Sequence, residues 1–266
     1  MPVTRRIGFA VAALSILACS DSPSGPTAST VPDVTALLAE MSSSSIGTAE
    51  ALAGSPSVGA MLSSTSDPHG CTYNEATGFF VCPTVTTGSL TVSRMYRFID
   101  AAGNSQPKAD AQTSAFETKT SVTGKITMTT TEPRASTSSY TINSNSDQTL
   151  SGLRAENHTL NGLTTTAIQG TLQLGAETLP LDEHLKETTS NLVLPSARKG
   201  QKWPLSGTIT IEETTNDFDQ SGTYQTSITF NGTSVVTLTF TSQFGTSSCK
   251  VDLAASPGNG FVGCLP

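Results

Sequence analysis

The sequence has little charge. Asp, Glu, Lys and Arg make up 13% of the 266 residues and leave a net charge of −7, whereas a typical soluble domain carries about 25% charged residues. No cluster of basic residues stands out along the chain. Proteins that track nucleic-acid phosphates need a positive surface that releases counterions. We therefore expect no nucleic-acid partner.

The chain also lacks the patterns of common catalytic and metal sites. Its three histidines are scattered at His69, His158 and His184, and there is no Cys-x-x-Cys pair. It contains no Gly-x-Ser-x-Gly nucleophile elbow and no glycine-rich phosphate loop. These absences favour a non-catalytic protein without a cofactor. A hydrolase of unrecognised type is the alternative.

Hydroxyl side chains are abundant instead, with 43 threonines and 35 serines. Threonine is β-branched and favours strands, whereas serine favours turns and caps. From Phe79 onward apolar residues alternate with polar ones, most clearly in residues 90–98, 116–128, 224–230 and 236–244. Such alternation predicts strands with one apolar face and one face rich in Thr, Ser and Gln.

Polar turns separate these strands without a helical stretch between them, so sequential neighbours should pair antiparallel. The predicted fold class is mainly β, as a large antiparallel curved sheet or an open barrel-like meander, and a β-sandwich is the alternative. Asn231-Gly232 predicts a hairpin, since type I′ turns need positive φ at both positions. Residues 149–194 are less regular, and their glycines predict short strands with frequent turns.

The N-terminus has a different pattern. Arg5 and Arg6 precede an apolar run over residues 7–18, which is shorter than the roughly 20 residues that span a bilayer and is typical of a secretory signal peptide. The run ends in Ile16-Leu17-Ala18-Cys19, which resembles the lipobox of bacterial lipoproteins. The resemblance implies removal of residues 1–18 and acylation of Cys19 with diacylglyceryl and palmitate-type chains. Cleavage as an ordinary secreted protein is the alternative.

The resemblance implies that the bilayer is a partner through acylated Cys19, since two or more acyl chains give stable anchoring. Residues 19–31 are rich in Ser, Pro and Thr and have the composition of a flexible tether. By similarity to the enterobacterial sorting rule, Ser20 after the cysteine favours the outer membrane over the inner one. We expect an exported protein held at the cell envelope.

Two further segments follow the tether. In residues 32–64, Asp33–Met41 places Val34, Leu37, Leu38 and Met41 on one face of a predicted helix. Residues 65–266 form the predicted β domain. Its apolar strand face, including Tyr224, Ile228, Phe230, Leu238 and Phe240, could line a cavity, so a hydrophobic ligand or an envelope protein is a candidate partner.

Four cysteines remain after Cys19, and they allow three pairings. Disulfides are the expected state in an exported protein. We favour the local pairs Cys71–Cys82 and Cys249–Cys264, because each pair would staple the base of a predicted hairpin.

Residues 217–222, Asp-Phe-Asp-Gln-Ser-Gly, match the opening of a calcium loop, with Asp217, Asp219 and Ser221 as weak candidate ligands. The acidic residue expected at position twelve is Ile228 instead. The segment lies between two predicted strands, so a hairpin turn is favoured and no metal site is expected. Glu212 and Glu213 are adjacent in a predicted strand and should point to opposite faces.

Overall fold

The computed structural model describes residues 70–130, 136–174, 177–195, 203–217, 220–254 and 261–265. The predicted signal peptide, tether and helical segment therefore lie outside the described residues. Within these residues the chain forms fourteen β-strands that belong to one sheet. The prediction of a large antiparallel sheet is confirmed. The alternative, a β-sandwich, is wrong for the described residues, because a sandwich requires two sheets.

The strands are β1 (Thr72–Asn74), β2 (Phe79–Val81), β3 (Val85–Thr87), β4 (Leu90–Asp100), β5 (Ser105–Gln106), β6 (Thr113–Thr130), β7 (Ser136–Ser151), β8 (His158–Leu174), β9 (Glu177–Leu194), β10 (Ser206–Asp217), β11 (Gln220–Phe230), β12 (Val235–Ser242), β13 (Gly245–Asp252) and β14 (Phe261–Leu265). Their order across the sheet is β1-β2-β4-β6 and then β7 to β14 in sequence, while β3 and β5 pair with β4. Every pairing is antiparallel, so the sheet is an open meander.

One face of the sheet, which we call the core face, carries the apolar residues at one end of the long strands. The register aligns Phe98, Phe116, Leu150, Leu160 and Leu192 in a row across five strands. A second row continues through Ile209, Ile228 and Leu238 on the next strands. Most of these side chains belong to one large buried cluster, and Tyr96, Phe98 and Phe116 form a smaller one beside it.

The middle of the chain differs from its prediction. Residues 149–194 were expected to form short strands, but β8 has 17 residues and β9 has 18. Gly162 and Gly170 lie inside β8 and not in turns. A Cβ atom on Gly170 would collide with the backbone of Ser139 and Tyr140. The glycine is therefore explained by close approach of the neighbouring strand, and the prediction of frequent turns is wrong.

The β11–β12 hairpin is confirmed, but its turn is not the predicted type. Residues 231–234 connect the strands. Gly232 has a φ of 85°, while Asn231 is not among the residues with positive φ, so a two-residue type I′ turn is excluded. The Asn231 side-chain oxygen instead accepts a hydrogen bond from the Thr233 amide at 3.1 Å. Phe244, predicted to continue β12, lies beyond its end at Ser242 and is 86% exposed.

The predicted Cys71–Cys82 disulfide is confirmed, with an S–S distance of 2.06 Å. It closes the base of the β1–β2 hairpin and is worth about 3 kcal/mol in the loop-entropy model. Phe80 of the same hairpin stacks on Tyr96 of β4 at 4.9 Å between ring centroids. Cys249 also takes part in a disulfide, and Cys264 is its register partner on β14. Pairing of these two thiols stays a prediction.

Substitution of two leucines of β8 tests which face of the sheet carries the buried core. Leu160 is 0% exposed on the core face, whereas Leu163 is 42% exposed on the opposite face. We expect Leu160→Ala to lower the free energy of unfolding by about 2–5 kcal/mol, because it leaves a cavity. The matched control Leu163→Ala should change it by less than about 1 kcal/mol. Urea-induced unfolding with the disulfides intact measures both, and equal losses would contradict the assignment of faces.

Candidate functional site

The predicted site residues fall in different parts of the chain. Cys19 lies outside the described residues. Asp217 pairs with Gln220 and Asn216 with Ser221 in the β10–β11 hairpin, so residues 218–219 alone connect the strands. The favoured hairpin is therefore present, whereas an EF-type calcium loop takes twelve residues. Asp219 and the side chain of Asp217 lie outside the described residues, so they stay weak candidates.

The residues expected to line an apolar cavity divide into two groups. Ile228, Phe230 and Leu238 are buried and pack within the large cluster. Tyr224 and Phe240 lie at its margin, where their rings stack at 6.1 Å and Phe240 is partly exposed. Three of the five predicted lining residues therefore fill the core and do not face an open cavity.

A hollow of about 350 Å³ lies on the opposite side of the sheet, which we call the outer face. Strands β4, β6, β7 and β8 form its floor. Met95 and Leu163 supply apolar surface, and Lys119 and Asp147 supply charge. The lining residues are Ser93, Arg94, Met95, Lys119, Thr120, Ser121, Asn145, Ser146, Asp147, Leu163 and Thr165.

A charge network borders this outer hollow, and it consists of Arg97, Glu117, Lys119 and Asp147. The Lys119 ammonium donates a hydrogen bond to Asp147 Oδ2 at 2.6 Å and lies 3.3 Å from Glu117 Oε1. Arg97 Nε donates to Glu117 Oε2 at 2.7 Å. The register produces these contacts, because Arg97 lies opposite Glu117 and Lys119 lies opposite Asp147. Opposite charges at such cross-strand positions attract.

Phe79 of β2 covers one side of the charge network. The Arg97 guanidinium lies 4.8 Å from the centre of the Phe79 ring, and the Lys119 ammonium lies 5.5 Å from it. Cations over aromatic faces are attracted by the ring quadrupole, more strongly when they are shielded from water. Phe79 and Glu117 are both buried. The network therefore fixes the β2 strand to the sheet as well as joining β4, β6 and β7.

The hydrogen bond to Asp147 is the main cause that raises the pKa of Lys119 above its ordinary value, and Glu117 adds to it against the effect of burial. A lysine held protonated by two carboxylates is a poor base or nucleophile. Such a lysine is well suited to a binding surface, because its two carboxylate partners hold its positive charge at a fixed position. The hollow can thus contact a ligand through hydroxyls, an amide and the apolar Met95 and Leu163.

Of the other ionisable groups, Arg94 also lines the hollow, whereas the histidines, Lys186 and Glu212 are not among its lining residues. His158 Nδ1 lies 3.0 Å from the Gly152 carbonyl oxygen, and His184 pairs with Asp182 at 3.3 Å. Lys186 donates to Glu212 at 2.9 Å, which lowers the Glu212 pKa. In the described ranges no three His, Cys, Asp or Glu side chains are grouped to hold a metal ion.

Sequence reasoning missed the charge network. Glu117 and Lys119 sit two residues apart in the predicted strand 116–128, which places them on one face. That signal was present in the sequence. Their partners Arg97 and Asp147 belong to other strands, so they could be assigned only once the register was known.

The comparisons with known proteins found no similar family, protein or structure: no family model matches the chain, and neither a curated protein nor a solved structure matches it. Among the described residues no helix is long and apolar enough to cross a membrane.

The pKa of Lys119 provides a test of the charge network. Because folding raises this pKa, the stabilisation is fully present below the ordinary value of 10.5 and is lost as pH rises through the folded-state value. We expect the difference in unfolding free energy between the wild type and Lys119→Met to be constant near neutral pH and to shrink in strong alkali. Urea unfolding across this range measures it.

The control is Lys125→Met, which removes an exposed lysine from the same strand. Its effect on the free energy of unfolding should be small, because the Lys125 side chain is exposed. A Lys119→Met difference that does not change with pH would show that Lys119 acts through packing alone.

Proposed function

We propose that this protein is a lipid-anchored, non-catalytic protein of the cell envelope, which presents its β-sheet for structural or binding work. The Ile-Leu-Ala-Cys motif at residues 16–19 carries the proposal, because the basic and apolar stretches before it and the polar tether after it fit a lipoprotein. Ser20 favours the outer membrane. A hydrolase of unrecognised type is the alternative.

The geometry of the described sheet supports binding more than catalysis. The densest group of charges is the Arg97–Glu117–Lys119–Asp147 network, in which each cation is paired with a carboxylate. Such pairing stabilises charge at fixed positions and does not leave a group poised for proton transfer. The adjoining hollow combines these fixed charges with an exposed leucine, which suits a ligand with both polar and apolar parts.

A purely hydrophobic ligand is less well supported. It would need an open apolar cavity of several hundred Å³, whereas Ile228, Phe230 and Leu238 pack against their neighbours. Within the proposed binding role, we therefore favour the outer hollow over the core face as the place where a small ligand binds.

Substitution of Cys19 tests the anchor. We expect the wild type to incorporate radiolabelled palmitate and to fractionate with membranes, because acyl chains on the cysteine bury methylenes in the bilayer. Cys19→Ala should take up no label and appear in the soluble fraction, while the control Ser22→Ala should behave as the wild type. The anchor is refuted if the wild type takes up no label and Cys19→Ala still sediments with membranes.

The Cys19→Ala protein, which we expect in the soluble fraction, can also be used to test whether the β domain binds a lipid. We expect native mass spectrometry to show it without a bound lipid, because its apolar side chains fill the core. A co-purified lipid that survives in the Leu163→Arg variant would instead support a carrier that uses the core face.

A further inference from the structure

The strand register builds two adjacent rows of side chains in the outer hollow. Each row consists of successive register partners on β4, β6, β7 and β8, and all of these residues line the hollow. One row is Met95, Lys119, Asp147 and Leu163. The other, which we call the polar row, is Ser93, Ser121, Asn145 and Thr165. Adjacent strands lie about 4.8 Å apart, so the polar row extends over about 14 Å.

The hydroxyls of the polar row are available to a ligand, unlike others on the outer face. Elsewhere on this face, register partners join their hydroxyls across the strands, as in the pairs Thr210–Ser227 and Thr241–Thr246, both at 3.2 Å. Ser93 and Ser121 are register partners too. Within the described chain, however, neither of their side chains forms a hydrogen bond, and the same holds for Thr165. A serine or threonine hydroxyl can donate one hydrogen bond and accept two.

The charges around the polar row are balanced. The charge network pairs two cations with two carboxylates. The polar row continues on β9 to Lys186, which is paired with Glu212 at 2.9 Å. Arg94 also borders the hollow, but alternation along β4 turns its side chain to the core face together with Tyr96. A charged ligand would lose hydration in the hollow without meeting an unpaired opposite charge there.

We propose that the polar row binds a neutral oligosaccharide, which lies across β4, β6, β7 and β8. Each sugar hydroxyl can both donate and accept hydrogen bonds, and so can the hydroxyls and the amide of the row. The C–H face of a sugar ring is apolar and would pack on Met95 and on Leu163, which is 42% exposed. This inference rests on the binding role proposed for the outer hollow and names the class of ligand.

An extended peptide fits this site less well than a sugar. Such peptides bind a sheet by adding main-chain hydrogen bonds at an exposed edge, whereas β6, β7 and β8 each lie between two hydrogen-bonded neighbours. Recognition in the hollow therefore depends on side chains. Those that have hydrogen-bonding capacity to spare are the three hydroxyls of the row, which favours a ligand whose own polar groups are mainly hydroxyls.

Isothermal titration calorimetry of the full chain, in a detergent without a sugar headgroup, tests this inference. The probes are maltotetraose, cellotetraose and mannotetraose, together with the anionic tetragalacturonate. We expect at least one neutral probe to bind, and its dissociation constant to rise about 3- to 10-fold in Thr165→Val, which removes one hydroxyl. The matched control Thr141→Val makes the same change on β7 outside the hollow and should bind as the wild type. Ser121→Ala repeats the test if Thr165→Val lowers the yield of folded protein.

Three results would overturn the inference. Binding of no neutral probe would exclude this class of ligand, while palmitate labelling decides the lipid anchor separately. Equal dissociation constants in Thr165→Val and Thr141→Val would place the sugar outside the polar row. Binding of tetragalacturonate alone, weakened in Thr165→Val, would keep the hollow as a binding site and would contradict a neutral ligand.

Discussion

The register that aligns apolar side chains in one row is the constraint on which the rest of the structure depends. Phe116, Leu150, Leu160 and Leu192 lie side by side because each strand is offset correctly against its neighbour. A slip of one residue would turn a strand's whole apolar set to the opposite face. The same offset brings Lys119 opposite Asp147 on the outer face, so the core and the charge network are set by one geometric condition.

Much of the sheet could be predicted from the sequence. Alternation over residues 90–98 and 224–230 identified β4 and β11, because one half-buried face leaves a period of two. The Cys71–Cys82 pair was predictable because both cysteines flank one short hairpin. The same reasoning does not predict the long strands β8 and β9. Glycines such as Gly170 of β8 indicate turns when only the sequence is considered. A sequence does not distinguish a glycine that is required because a neighbouring backbone approaches closely from a glycine that is required by a turn.

The candidate site was less predictable, for reasons that differ from one residue to another. Glu117 and Lys119 are close in sequence, so their shared face follows from strand geometry. Arg97 and Asp147 are non-local partners, and only the pairing of β4, β6 and β7 brings them to the hollow. Phe244 was assigned to a strand from its hydrophobicity, but the chain turns before it. A pattern of side chains alone does not specify where a hairpin reverses.

Strands β7, β8 and β9 are each continuous and long, and they lie in one sheet with the large apolar cluster at one end. Amide hydrogen exchange, followed by mass spectrometry on overlapping peptides, tests this directly, since paired amides exchange slowly. We predict protection along the whole of β8, including the amides at Gly162 and Gly170, with the slowest exchange near Leu160. Fast exchange at both glycines, between separate protected stretches, would mean short strands joined by turns and would contradict the account.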